Sequence, residues 1–333
     1  MSVTVLVALV AACAATIAVA GYVLSATGDR LADAHGWGRG WVGLALLATV
    51  TSLPELAAGV SAVAVVGAPN LAIGNALGAC TFNLAFLVVV DALQRRQPIY
   101  AEASGTHLLT AGFGVVMLGF VATGLLAGGR APSTWNVGLY SPVLLGLYLV
   151  ALRGVHAHER ASRGMPGCPV EVTRSDVRGL WRRFGGTAAA VLVAGATLPE
   201  FADRLAAALG VSRSAAGTLL MAAVTTLPEA AVTLSALRIG ALDMAIGNLL
   251  GSNLFNLAIL AIDDLFYRPG PLLAEASSVH VGTATAASVM SGMVIVGLVM
   301  RPRGRVLRVV SWTSVGLAAA YLMNAVIVGL WGG

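Results

Sequence analysis

Thr51-Ser-Leu-Pro-Glu55 places two hydroxyls, a proline and a carboxylate inside a run otherwise apolar enough to cross a bilayer. Thr225-Thr-Leu-Pro-Glu229 is a near copy, 174 residues later. A charge at the bilayer centre costs at least about 2.5 kcal/mol, so an intramembrane carboxylate marks a functional site by default. Two of them, in matching positions, mark a site built by duplication.

The surrounding composition supports this reading. Of 333 residues, 58% are hydrophobic and 11% charged, with mean hydropathy +0.86. Soluble domains carry about 25% charged residues, so this chain has too few to cover a water-facing surface. Apolar segments fall near residues 2–25, 41–66, 70–92, 105–127 and 136–152, then 187–208, 214–237, 242–263, 279–300 and 310–330. Their lengths suit helices across ~30 Å of hydrocarbon, whereas the ten-residue alternation of a membrane β-barrel is absent. The first segment lacks a basic n-region and exceeds a signal peptide's apolar core; it reads as a retained helix.

All 20 basic residues are arginine, and they lie between the spans. With the N-terminus outside, sixteen fall in inward loops, and only Arg130, Arg204, Arg213 and Arg268 fall outside. This bias predicts both termini outside a plasma membrane, the inner membrane in a bacterium or archaeon. It also explains the net charge of +5 without nucleic acid as a partner. Cys13, Cys80 and Cys168 form no CxxC or zinc-like cluster and read as reduced thiols. The polar stretch 154–186, with His156 and His158, reads as a solvated cytoplasmic linker.

The duplication extends well beyond the motif. Asp29-Arg-Leu-Ala32 recurs as Asp203-Arg-Leu-Ala206, Ala72-Ile-Gly-Asn75 as Ala245-Ile-Gly-Asn248, and Phe82-Asn-Leu-Ala85 as Phe255-Asn-Leu-Ala258. The fold expected is therefore an all-α integral membrane protein of ten transmembrane helices, as two inverted five-helix repeats, 1–153 and 187–333. Five is odd, so the second copy enters the bilayer upside down, and transporters of this architecture bind substrate at the midplane between the repeats.

Each motif suits a hard cation. Pro54 and Pro228 carry no N–H and free carbonyls four residues earlier. Backbone exposed at that depth is tolerated only where it lines a polar cavity. Glu55 and Glu229 add two negative charges, which balance one divalent ion, two Na⁺ or two protons. Hydroxyls of Thr51, Ser52, Thr225 and Thr226, with amides of Asn83 and Asn256 on the following helices, complete an oxygen set suited to Ca²⁺. No soft ligand for zinc or copper is present in the motifs.

Two T-[ST]-L-P-E helices, each followed by G-N-x-x-G-x-x-x-F-N, resemble the alpha-repeats of the calcium/cation antiporter superfamily, and in particular its sodium/calcium exchanger-like branch. The resemblance covers about 28–110 and 202–283. It implies a central cation site and Ca²⁺ moved against Na⁺ or H⁺, with no cofactor and no enzyme activity. By the family pattern Glu55 and Glu229 hold Ca²⁺, Thr51 and Thr225 supply carbonyls, and Ser52, Thr226 and Ser252 complete the ion sites. The chain departs from the pattern at Gly78-Ala79-Cys80, where Ala79 replaces a serine, and at Asn256, where many relatives carry aspartate. Fewer coupled ions are expected in consequence, and H⁺/Ca²⁺ exchange on the same fold is the alternative. Elsewhere, Glu200 is expected in an extracellular vestibule or at a helix end, Glu102, His107, Glu275 and His280 as interfacial anchors, and Asp91, close to Arg95, and Asp264 in local charge pairs.

Overall fold

The structure is a computed structural model describing residues 1–34, 48–94, 96–130, 132–162, 174–306 and 308–331. Among these, the main helices are α1 (Val3–Ala34), the single turn α2 (Ala48–Thr51), α3 (Leu53–Ala64), α4 (Pro69–Leu93), α5 (Thr106–Ala127) and α6 (Tyr140–Ser162). They continue with α7 (Arg174–Leu209), α8 (Arg213–Thr225), α9 (Leu227–Arg238), α10 (Leu242–Phe266), α11 (Val279–Met300) and α12 (Trp312–Trp331). A two-residue hairpin, Ser133–Thr134 against Val137–Gly138, joins α5 to α6.

Eight of the described helices are long and apolar enough to cross a membrane, and α8 with α9, bent by 42°, makes a ninth. Helix α3 has only 12 residues; the chain preceding α2, where the sequence places the start of this span, lies outside the described residues. Both breaks have the same cause. Proline sits in the first turn after each, where a missing N–H is harmless, and Ser52 and Thr226 take non-helical ψ values of 13° and 6° just before it. Pro199, by contrast, lies inside α7 without ending it.

Burial sorts the helices into a centre and a rim. Helix α10 is 89% buried over its apolar window, whereas α1, α6, α7 and α12 are 28% buried. The rim helices expose Val5, Val19, Leu149, Val193 and Leu322, side chains that suit lipid rather than water. Helices α4 and α10 pack against each other at the centre and carry α3, α8 and α9 around them.

Contacts recur at positions related by the sequence repeat. Gly21 of α1 lies against the ring of Pro228, where a Cβ would approach within 2.5 Å, and Gly195 of α7 lies against Pro54, where a Cβ would come 2.9 Å from the carbonyl oxygen. Gly67 and Gly240 make the turns into α4 and α10 with φ of +64° and +75°, a region costly for residues with a Cβ.

Asp91 and Asp264 close these helices in a way the expectation of charge pairing did not anticipate. Asp91 accepts hydrogen bonds from Ile99 N at 3.1 Å, Ser311 N at 2.7 Å and Ser314 Oγ at 2.7 Å. Asp264 accepts from Leu272 N at 2.6 Å, Gly138 N at 2.8 Å, Tyr140 Oη at 2.7 Å and Ser141 Oγ at 2.5 Å. Each carboxylate thus clips its own turn to the start of a distant helix, α12 for Asp91 and α6 for Asp264. Backbone N–H groups buried there need acceptors, and these carboxylates supply them. Arg95, the expected neighbour of Asp91, lies outside the described residues.

The stretch 154–186 is helical at both ends, with α6 running to Ser162 and α7 starting at Arg174. Residues 163–173, including Cys168, lie outside the described residues, whereas Cys13 and Cys80 are buried free thiols.

Candidate functional site

Thr51, Ser52, Glu55, Asn83, Thr225, Thr226, Glu229, Ser252 and Asn256 are each at most 1% exposed. All nine residues singled out from the sequence are therefore inside the protein. The two breaks bring most of them together. Ser52 donates to Glu229 Oε1 at 2.7 Å, tying the first break to the second motif. Glu229 also lies beside the Thr51 and Ser252 hydroxyls, while Glu55 lies beside the Thr225 hydroxyl and within electrostatic range of Glu229.

Each glutamate sits in the first turn of its half-helix, α3 or α9. There the unsatisfied N–H groups and the helix dipole favour negative charge. Pro54 and Pro228 remove the N–H groups that would bond Val50 O and Val224 O. The same local chemistry thus offers both anionic and neutral oxygens at one depth.

The neighbouring helices answer differently in the two halves. On α10, Ser252 Oγ lies 3.4 Å from Thr51 Oγ1. Its repeat equivalent on α4 is Ala79, and Thr225 instead donates to Asn75 Oδ1 at 3.1 Å. Asn248 Nδ2 reaches Glu229 O and Thr233 Oγ1, both at 3.3 Å. Asn83 Nδ2 donates to Asn253 Oδ1 at 3.1 Å, and Asn253 Nδ2 to Cys80 O at 3.3 Å, locking α4 to α10. Asn253 was not singled out from the sequence, although its place in Gly251-Ser-Asn253 was the available signal.

What stays unbonded is as informative as what bonds. Both carboxylate oxygens of Glu55, Glu229 Oε2, and the amide oxygens of Asn83, Asn248 and Asn256 are buried without a hydrogen-bond partner. Buried polar atoms are nearly always satisfied, and exceptions point to an ion or a function. Six such acceptors, three of them carboxylate oxygens, are of the kind a hard cation takes. Asn256 lies one turn beyond Ser252 on the same face of α10.

Other candidates stand apart. Glu200 pairs with Arg204 one turn on and is part-exposed. His107 Nε2 lies 3.0 Å from Asp243 Oδ1, an oxygen that also accepts from Ser104 N at 2.8 Å. At the equivalent place in the other half, Asn70 Oδ1 accepts from Ser277 N at 2.7 Å, and His280 is buried with neither ring nitrogen bonded. Neither histidine reaches the glutamates among the contacts described.

The sequence pattern of the sodium/calcium exchanger protein family matches residues 5–154 and 181–328. The chain belongs to this family. It is an exchanger-like membrane protein of the calcium/cation antiporter superfamily. It is 26% identical over 242 residues to the inner membrane protein YrbG of Escherichia coli, covering 69% of this chain and 70% of that one. It is 40% identical over 80 residues to the sodium/calcium exchanger MaX1 of Methanosarcina acetivorans, covering 24% and 23%. Solved structures of the sodium-calcium exchanger NCX_Mj share the fold, with a TM-score of 0.64 at 22% identity over 98% of this chain and 99% of that one.

Proposed function

We propose that this exchanger-family protein moves Ca²⁺ against Na⁺ by alternating access, at a midplane site formed by Glu55 and Glu229. The observation that carries the reading is the Glu55 carboxylate, fully buried, unbonded at both oxygens, and facing a second buried carboxylate across two helix breaks. Two like charges at that depth are costly unless a cation or protons neutralise them. Ca²⁺ takes both carboxylates with the Asn83 and Asn256 amide oxygens and carbonyls freed by the prolines. Na⁺ competes for the same carboxylates and uses the Ser52, Thr226, Thr51, Thr225 and Ser252 side.

The frame for this is two five-helix repeats of opposite orientation, 1–153 and 187–333, joined by 154–186 on the cytoplasmic face with both termini outside. The repeat-related contacts at Gly21 and Gly195 support it. They also supply smooth surfaces on which α1 and α7 slide across the broken helices. Exchange of H⁺ for Ca²⁺ on the same fold is the second reading, favoured by Ala79 and Asn256, which take one hydroxyl and one acid from the site.

Radiolabelled Ca²⁺ uptake into proteoliposomes, driven in turn by outward Na⁺ and outward H⁺ gradients, tests both. Uptake with Na⁺ alone, absent in Glu55→Gln and Glu229→Gln, is the expected result. Uptake only with H⁺ moves the protein to the second reading. A flux that saturates with no counter-ion turns it into a passive pathway.

A further inference from the structure

Helix α10 ends in two adjacent aspartates that the fold treats in opposite ways. Asp264 accepts four hydrogen bonds and matches Asp91 in the repeat. Asp263 is equally buried, at 0% exposure, yet neither of its carboxylate oxygens has a hydrogen-bond partner. Its equivalent in the first repeat is Val90, so the helix end does not require an acid there.

The position of Asp263 places it beside the proposed ion site. Helices α2 and α3 run alongside α10 in the same direction: Thr51 meets Ser252, Leu56 packs with Phe255 and Ile259, and Gly59 meets Asp263. The carboxylate rests on Gly59 so closely that a Cβ there would lie 2.4 and 2.7 Å from its two oxygens. Gly59 follows Glu55 by one turn on α3, a rise of about 6 Å. A buried, unpartnered carboxylate therefore stands one turn along α3 from Glu55.

The chemistry around it selects the ligand. Ca²⁺ or Na⁺ needs a shell of about six oxygens; hydroxyls lie beside Glu55 and Glu229, whereas the groups described against Asp263 are Gly59 and Asp264, whose carboxylate is already taken up by four hydrogen bonds. A proton needs only the carboxylate itself. We propose that Asp263 is a proton-binding site on the ion path, loaded and discharged as the exchanger cycles. The step is balanced without any other reactant: one proton joins one carboxylate oxygen to give the neutral acid, and leaves to water in the state of the cycle that admits it. No hydrogen bond has to rearrange, because none is made.

The charged and titratable groups around it are few. Asp264 lies beside it on α10, held by Tyr140 of α6. Glu55 lies one turn away on α3, with Glu229 on α9 beyond it, and Tyr148 of α6 packs at a tilt against Phe255 two turns back. Cys80 of α4 faces Asn253. On the other elements packed against α10, His107 of α5 is engaged by Asp243, Asp91 of α4 closes its own helix end, and Arg153 of α6, Arg238 of α9 and Glu275 are at least part-exposed. Arg130 and Arg268 are exposed, so among the described residues no arginine neutralises Asp263.

This inference rests on the antiport reading of Glu55 and Glu229, and one experiment separates the two. Proteoliposomes loaded with a pH dye take up radiolabelled Ca²⁺ under an outward Na⁺ gradient and, separately, under an outward H⁺ gradient. Protons moved per Ca²⁺ are counted for the wild type, Asp263→Asn and Asp263→Val. The valine variant copies Val90 and keeps the apolar packing if asparagine harms folding. The expected result is a count lower by about one proton per Ca²⁺ in either variant. Wild-type uptake with a proton count that Asp263 does not alter overturns the proton site alone. An unaltered count with apparent Ca²⁺ affinity weakened about tenfold, or 1.4 kcal/mol, makes Asp263 a cation ligand instead. Wild-type vesicles that take up no Ca²⁺ under either gradient overturn the antiport reading and the proton site together.

Discussion

Ser52 and Thr226 hold the same place in the two motifs, but only Ser52 crosses the molecule. Its hydroxyl donates to Glu229 Oε1, whereas the Thr226 hydroxyl turns back to Ala222 O at 2.6 Å, the carbonyl one turn earlier. Back-bonding of this kind is characteristic of threonine in helices. Glu229 is consequently half-satisfied within the protein, while Glu55 keeps both oxygens unbonded. A duplicated motif has become two unlike half-sites, one partly preorganised and one left for the ion. The neighbouring helices repeat the difference, with Ser252 facing Thr51 and Ala79 in the equivalent place.

The sharpest way to break that comparison is to neutralise each glutamate in turn. Glu55→Gln and Glu229→Gln are both expected to abolish the rise in melting temperature that Ca²⁺ produces. That rise corresponds to about 2.7 kcal/mol when Ca²⁺ is a hundredfold above its dissociation constant. Without ions the two part company: Glu229→Gln weakens the bond from Ser52 and lowers the melting temperature, and Glu55→Gln, which disturbs only a looser approach of the Thr225 hydroxyl and relieves the repulsion from Glu229, leaves it unchanged or higher. Thermal unfolding in detergent, with and without Ca²⁺, reads both. Equal losses without ions would show that the half-sites are alike.

A smaller effect separates the two hydroxyls. Ser52→Ala leaves Glu229 Oε1 buried without its donor and is expected to cost about 1–2 kcal/mol. Thr226→Ala removes only a local bond to a carbonyl and is expected to cost about 0.5 kcal/mol or less. Melting temperatures of the ion-free proteins give the order. The smallest change expected comes from Ala79→Ser, which returns a hydroxyl opposite Thr225. It should strengthen the Na⁺ dependence of Ca²⁺ uptake by about two- to fivefold, the worth of one modest hydrogen-bonding group. A Na⁺ titration of initial uptake rates measures it, and an unchanged curve would mean that Ala79 is not what distinguishes the half-sites.

Much of this is legible in the sequence. Pro54 and Pro228 are local breakers, and their consequence follows from the ring itself. Glu55 and Glu229 stand out because charge is rare in such runs. The Asp91 and Asp264 clips were not legible, because their partners include Ser311, 220 residues beyond Asp91, and Gly138, 126 residues before Asp264. Asp263 was hidden for a simpler reason: beside Asp264 it reads as one more polar residue at a helix end.

Composition and periodicity determined that this chain is a bundle of membrane helices, that two of them break at proline, and that the breaks carry acids. These are local properties, set by side-chain chemistry and by the cost of polar groups in hydrocarbon. Only the tertiary structure decided which oxygens are already bonded and which remain free for an ion. That depends on which helix faces meet, and Ser52 reaching Glu229 while Glu55 goes without a partner is a result of packing between halves that the repeat alone presents as equal.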